Sequence, residues 1–346
     1  MGTICPRGKQ NAAGLWQLKN KFLNFKSFIK MASVNISALN SALGAYARQE
    51  KVEIFNKILR ESTAQYFTTV TGSIDQLPLA KLVTGSILKP YAAGGGFTAT
   101  DDALVFGARI LNARRISADV EIVPLDLYNS WLGQLAGAPP ASPFDIPFEQ
   151  FIMDAIAKQA QDDLEGAIWN GTYNGSGTTS AATMDGVLKL VKAAVTSGEI
   201  PAGNVTAFTA ITSSNALDEV KKVRTKVAAQ YRNKPMYCFL SVANFDNYMD
   251  DYQASVGSVV YNRDYTQVFI EGTQTQLVAI PGMVGTDSNR ILITPKENLV
   301  FGYDIEGAAS NIITQEYNRT IKVMMDFRAG VNFRDGGVIW CNGNEA

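Results

Sequence analysis

Histidine is absent from this chain of 346 residues. Its absence excludes Ser-His-Asp and Cys-His catalysis, and any zinc or iron site ligated by histidine. Carboxylate, lysine and tyrosine chemistry stays open. Cysteine is scarce: Cys5, Cys238 and Cys341 lie far apart with no CxxC spacing, so no thiolate metal site is expected. Cys238 in "PMYCFLSV" and Cys341 in "GVIWCN" read as small core hydrophobes. Apolar runs fall well short of the roughly 20 residues a membrane span needs. A GxxxxGK[ST] phosphate loop is missing too. Gly94, Gly95 and Gly96 are not followed by a helical pattern, and "NGTYNGSG" follows a helix instead of a strand, so it reads as a connector.

What is present is globular. Hydrophobic residues make up 46% and charged residues 18%. The length suggests about two domains, large enough to fold without disulfides. Charge is unevenly placed. Residues 1–30 carry Arg7, Lys9, Lys19, Lys21, Lys26 and Lys30 and no acid, which is +6; the whole chain is −1, leaving −7 on residues 31–346. A body of that sign would not coat nucleic acid by neutralising phosphates. Within "LWQLKNKFLNFKSFIK", Leu15, Leu18, Phe22, Phe25 and Ile29 recur at helical spacing between lysines. That is the pattern of a basic amphipathic helix, suited to targeting or a membrane surface. Met31 opens "MASVNISALNSALG" and is the favoured start; residues 1–34 are then a leader, and otherwise a basic arm.

Further along, apolar spacing predicts helix with a linker over 35–70, with stripes of Leu39, Leu43 and Tyr46 and of Ile54, Ile58 and Leu59. Alternation predicts a long hairpin, with arms at 80–92 and 103–124 and a glycine-rich tip between them. A hairpin of that length needs a surface to lie on. A short helix is expected over 125–136. A strong helix starts at Phe148, with Phe148, Ile152, Ala155, Ile156, Ala160, Leu164, Ala167 and Ile168 on one stripe and a stop at Gly171. A mixed region follows: helices near 185–197, 215–233 and 242–253, and strands at 204–212 and 234–241. Strands dominate from 265 onward and close in "TIKVMMDFRAGVNFRDGGVIW". Short connections between the last strands favour α+β over a doubly wound sheet. The adjacent acids Asp101-Asp102, Asp162-Asp163 and Asp250-Asp251 read as solvated charge, because helix neighbours do not face one way.

Taken in order, four segments resemble the major capsid proteins of tailed bacteriophages, which have the Hong Kong 97-like fold. "KLVTGSILKPYAAGGGFTATDDALVFGARI" with "ADVEIVP" resembles the E-loop. "FEQFIMDAIAKQAQDDLEGAIWNG" resembles the spine helix of the peripheral domain. "QLVAIPGMVG" with "NRILITPKENLVFGYDIEG" resembles strands leaving the axial domain. The closing segment resembles strands that return to the peripheral domain. The likeness spans about residues 45 to 341.

It implies an N-terminal arm and helix (35–75), an E-loop hairpin (76–124), a peripheral domain with the spine helix (125–183), an axial domain (184–318) and terminal strands (319–346). It implies a structural protein and not an enzyme: hexamers and pentamers of an icosahedral head, a virion component assembled in the host cytoplasm around double-stranded DNA. No cofactor, no metal, no membrane and no sequence-specific DNA contact are expected. A portal is an expected partner. The chain leaves no room for a fused scaffolding region, so a separate scaffolding protein is expected as well. Contact with a neighbouring subunit is expected at Lys89, Pro90, Gly94, Gly95, Gly96, Arg109, Arg114 and Arg115 on the hairpin. Two rival readings remain: an encapsulin-like nanocompartment shell, and a soluble α+β enzyme.

Overall fold

The computed structural model describes residues 36–60, 63–72, 75–84, 88, 104–124, 148–256, 268–285, 287–304 and 311–343. The short helix expected at 125–136, the glycine tip and Cys5 lie outside them.

Two helices come first, α1 (Ile36–Gln49) and α2 (Lys51–Arg60). The helix expected over 35–70 stops there. Thr68–Thr71 instead forms β1, because "TTV" is β-branched and finds a parallel partner in Val300–Tyr303. Next come β2 (Gln76–Thr84), β3 (Leu104–Asn112) and β4 (Arg114–Ile122). Only β2 and β3 form the hairpin, paired from Gln76–Asn112 to Thr84–Leu104. The expected second arm, 103–124, is divided at Ala113, beyond which β4 pairs with a different strand.

That strand is β12 (Thr320–Phe333), fourteen residues long and central to a five-stranded sheet. On one edge it takes β10 (Leu299–Asp304) and β11 (Asn311–Tyr317) end to end; on the other it takes β4. Met325 thus sits between Ile312 of β11 and Ala118 of β4. Burial alternates along β12 up to Ala329, then becomes continuous through Phe333. The outer face of that last stretch is covered by the root of the hairpin. Gly330 permits the crossing, since a Cβ there would stand 2.3 Å from the Asn112 carbonyl oxygen.

The long helix α3 (Phe148–Asn170) begins and ends where the pattern placed it. Gly171 stops it against Met184, whose carbonyl oxygen leaves 2.5 Å for any Cβ. The buried stripe is wider than expected: Met153, Ala157 and Trp169 are buried, whereas Ala155 is exposed. Between α3 and the next strands lies α4 (Val187–Ser197).

A six-stranded sheet has the order β5-β13-β9-β6-β8-β7. Its strands are β5 (Val205–Thr206), β6 (Met236–Ser241), β7 (Val268–Phe269), β8 (Thr275–Ile280), β9 (Leu292–Thr294) and β13 (Trp340–Asn342). Helices α5 (Ala216–Lys226) and α6 (Val242–Val256) cover one face. β6 and β8 are parallel, and α6 belongs to the crossover between them.

Several sequence expectations are corrected here. The strand expected at 204–212 shrinks to two residues, and the helix expected to 233 ends at Lys226. The helix ends because Arg232 donates to the carbonyls of Thr225 and Val227, capping the last turn. The unit expected at 184–318 does not stay in one sheet, since β10 and β11 join β12. The closing segment divides as well: β12 lies in the five-stranded sheet and β13 in the six-stranded one.

One hydrophobic core runs through both sheets. It packs α1, α2 and α3 on the five-stranded sheet and continues to Phe239, Val278, Leu292 and Cys341 on the inner face of the six-stranded one. Trp169 bridges the two, with its ring 5.6 Å from Phe67 and 5.1 Å from Phe239. A second core lies under α5 and α6. No helix among the described residues is long and apolar enough to cross a membrane.

Candidate functional site

The β2–β3 ribbon is the feature that the core does not explain. At nine paired positions it is about 30 Å long. Paired residues share a face, so its two faces can be read from the register. The inner face at the root holds Leu77, Leu79, Lys81, Arg109 and Leu111. Leu79 and Leu111 are buried with Ala113 and Val300 in a small core of their own.

Arg109 is the centre of this anchor. Its Nε donates to Asn332 Oδ1 at 2.6 Å, its Nη1 pairs with Glu199 Oε2, and its guanidinium stacks 3.8 Å over the Phe333 ring. Asn332 in turn donates to the Ile110 carbonyl at 2.7 Å. Lys81 pairs with Asp335 at 2.5 Å, and Asp335 also caps the turn after β12 by accepting from Gly337 N–H. Four residues from distant chain segments, Glu199, Asn332, Phe333 and Asp335, therefore hold the ribbon's root.

The outer face is the opposite case. It carries Pro78 and Ala80 from β2 and Phe106, Ala108 and Ile110 from β3. All five are exposed, Phe106 at 79% and Ile110 at 50%. Leu88, beyond the end of β2, is 94% exposed. An apolar face on a two-stranded ribbon is unstable in water unless something covers it.

Of the residues singled out from sequence, Arg109 points into its own subunit. Arg114 lies 4.2 Å over the Tyr173 ring, tying β4 to the loop after α3. Arg115 pairs with Asp326 of β12 at 2.7 Å and stays largely exposed. Lys89, Pro90, Gly94, Gly95 and Gly96 lie outside the described residues. Sequence reading missed Lys81, Glu199, Asn332 and Asp335 as anchors. It also missed the outer face, although the two-residue period of "PLA" and "FGARI" carried the signal.

A cavity of about 600 Å³ opens between β4, α3 and the 173–183 loop, floored by Ile116, Ala160, Leu164 and Phe327. Its acids, Asp119 and Asp163, sit on exposed positions. Among the described residues no group of three metal-ligating side chains occurs. Burial pushes the Cys341 thiol up to about 11 and raises that of Cys238 further, which suppresses both thiolates. Glu165 on α3 has its pKa raised by burial and by nearby Asp162, with a Gly282 N–H bond opposing the shift. The acid pair Asp250-Asp251, expected to be solvated, is so only in part, because helix neighbours face different ways. Asp250 is exposed, while Asp251 is buried and accepts from Leu217 N–H at 2.8 Å.

No family model and no curated protein matches this sequence. Solved structures do match. A chain of the satellite phage P4 procapsid that includes the size determination (Sid) protein aligns over 95% of this chain and 97% of its own, with a TM-score of 0.58 at 16% identity. This is the Hong Kong 97-like capsid fold. The capsid of an empty GTA particle, treated with C5 symmetry, shares the fold with a TM-score of 0.51 at 12% identity over 82% of this chain and 90% of that one. The SrpI encapsulin of Synechococcus elongatus PCC 7942 gives 0.47 at 9% identity over 82% and 86%.

Proposed function

We propose that this chain is the major capsid protein of a tailed bacteriophage, building hexamers and pentamers of an icosahedral head. The observation that carries the reading is the fold shared with the P4 procapsid chain over nearly the full length of both. The ribbon supports it independently. Its root is fixed by Arg109 and Lys81, while its outer face of Phe106, Ala108, Ile110 and Pro78 is left apolar and uncovered. A fixed root with an uncovered apolar arm is suited to lying across another copy of the same chain. Contact residues then include Phe106 and Ile110, with the tip residues Lys89, Pro90 and Gly94–Gly96 beside them; Arg114 and Arg115 brace the arm from within its own subunit.

The product is a shell and the work is repeated weak contact, not catalysis. Double-stranded DNA is the enclosed cargo, held without sequence readout, which an acidic body favours. A portal and a separate scaffolding protein are the further partners in this reading, and the virion head is its location. Negative-stain microscopy of the purified protein, with size-exclusion chromatography, is the direct test. Shells, or rings of five or six subunits, are expected. A discrete monomer or dimer at high concentration, even with scaffold supplied, overturns the reading.

A further inference from the structure

Three asparagines in this chain are followed by glycine: Asn170, Asn174 and Asn342. Such a step is open to attack by its own backbone, because the glycine nitrogen reaches the asparagine Cγ with no side chain in the way. Attack needs a glycine amide free to lose its proton and an asparagine side chain free to turn towards it. The fold withholds these from two of the three steps.

Asn170 is the last residue of α3. The following Gly171 is buried, and its N–H continues the helix by donating to the Ala167 carbonyl at 3.0 Å. Asn342 is buried in β13. Its Oδ1 accepts from Ile291 N–H at 2.9 Å and its Nδ2 donates to the Asn289 carbonyl at 2.7 Å. The Gly343 N–H that would attack it donates to the Thr206 carbonyl at 2.7 Å. Both nucleophiles are occupied, and at Asn342 both ends of the side chain are as well.

Asn174 is the opposite case. It lies in the loop between α3 and α4, and both it and Gly175 are exposed. Its main chain is fixed: its N–H donates to the Ala182 carbonyl at 3.0 Å and its carbonyl accepts from Gly177 N–H at 2.9 Å. The Gly175 N–H has no hydrogen-bond partner among the described residues. Asn174 Nδ2, the nitrogen that would leave, donates to none of them either, and only Oδ1 is engaged, by Ser176 N–H at 3.1 Å. That donor stands where charge develops, since Oδ1 becomes the oxyanion when Cγ is attacked.

We infer that Asn174 is a site of spontaneous deamidation, at which the chain gains a carboxylate with age. Hydroxide takes the Gly175 amide proton, and the nitrogen bonds to Asn174 Cγ. The tetrahedral centre collapses as Oδ1 re-forms its double bond, and Nδ2 takes a proton from water and leaves as ammonia. The cyclic imide then adds water. Opening at Cγ gives aspartate; opening at the main-chain carbonyl carbon gives isoaspartate, with the chain running through Cβ. Loss of Nδ2 breaks no hydrogen bond among the described residues, so the aspartate form keeps its fold. The new charge enters the rim of the cavity beside β4, where Asp119 and Asp163 already outnumber Arg115. The chemistry needs no partner subunit and stands apart from the shell reading.

The test ages the full chain at mildly alkaline pH, folded and in urea, and reads its fragments by tandem mass spectrometry for amide-to-acid conversion and for isoaspartate. In the folded protein Asn174 is expected to convert at least about tenfold faster than Asn170 or Asn342, which must first open locally. In urea the three are expected to convert at similar rates. Gly175→Ala shields the nitrogen, and its Cβ meets only the hydroxyl end of Tyr173, at 3.2 Å. This variant should convert several times more slowly, with a melt matching wild type. Folded protein in which Asn174 converts no faster than the other two overturns the inference, and so does a Gly175→Ala chain that converts at the wild-type rate.

Discussion

Removing the Arg109 guanidinium would cut three contacts at once: the pair with Glu199, the hydrogen bond to Asn332 and the stack on Phe333. Arg109→Ala is expected to lower stability by about 2 kcal/mol, since it leaves a part-buried amide oxygen short of a donor. A shift of the urea midpoint at constant slope would measure it, and an unchanged midpoint would contradict the anchor. Glu165 gives a pH-dependent prediction. Its folded pKa is raised above the ordinary 4.5, so the native state binds its proton more tightly than the unfolded chain does. Stability from this group is therefore full below that value and is lost as pH rises from about there through the folded pKa. Glu165→Gln should raise the melting temperature at pH 7 and not at pH 4, read by calorimetry. At the cysteines, burial predicts that Cys238 and Cys341 resist a thiol reagent in the folded protein and react on unfolding, as peptide mapping would show. Sequence spacing was enough to mark both as core. It was not enough to place Arg109, whose partners lie 90 and 223 residues away.

Among the elements, α3 was legible from its own residues because its period and its stop at Gly171 are local. Ala155 and Trp169 were misplaced or missed because the helix is clasped from two sides, by two sheets that no local pattern reveals. The ribbon was half legible. Alternation is regular from Ile116 to Ile122 and lapses at Ile110-Leu111 and Arg114-Arg115, yet nothing in that lapse says which strand the chain pairs with beyond Ala113. What divides it is β12, some two hundred residues later, with Gly330 making room for the crossing. Gly330→Ala is accordingly expected to cost at least about 2 kcal/mol, because the obstructing atom is backbone. Reduced hydrogen-exchange protection along β3, β4 and β12 would reveal it. The outer face gives the complementary result. Phe106→Asp with Ile110→Asp should leave monomer stability within about 0.5 kcal/mol of wild type per site, since both are exposed, while abolishing shells. Retained assembly would sink the ribbon's proposed role.

Among the described residues the two larger sheets share one continuous core, a second core is sealed beneath α5 and α6, and a small third one lies at the ribbon's root. Fold class was legible, and so was the order of segments, because both follow from the sequence of helical and strand periods. Which strand joins which sheet was not. β10 and β11 look like their neighbours β8 and β9, and only long-range register separates them. Trp169 is where the two sheets depend on each other. Trp169→Ala is expected to cost about 3–5 kcal/mol and to loosen both sheets together in hydrogen exchange, and loosening of one alone would mean that the units fold independently.

The single residue between β3 and β4 has a mechanical side. Whatever pulls on the ribbon pulls on β4 through Ala113, end-on, and β4 is held to β12 by nine consecutive pairs from Arg114–Ala329 to Ile122–Ile321. A load entering along a strand stretches its ladder in shear, with all the rungs strained at once, where a load entering sideways would open them one after another like a zip. A subunit gripped by its ribbon would thus hand tension straight to β12, the longest strand among the described residues, along the direction in which a sheet is hardest to part.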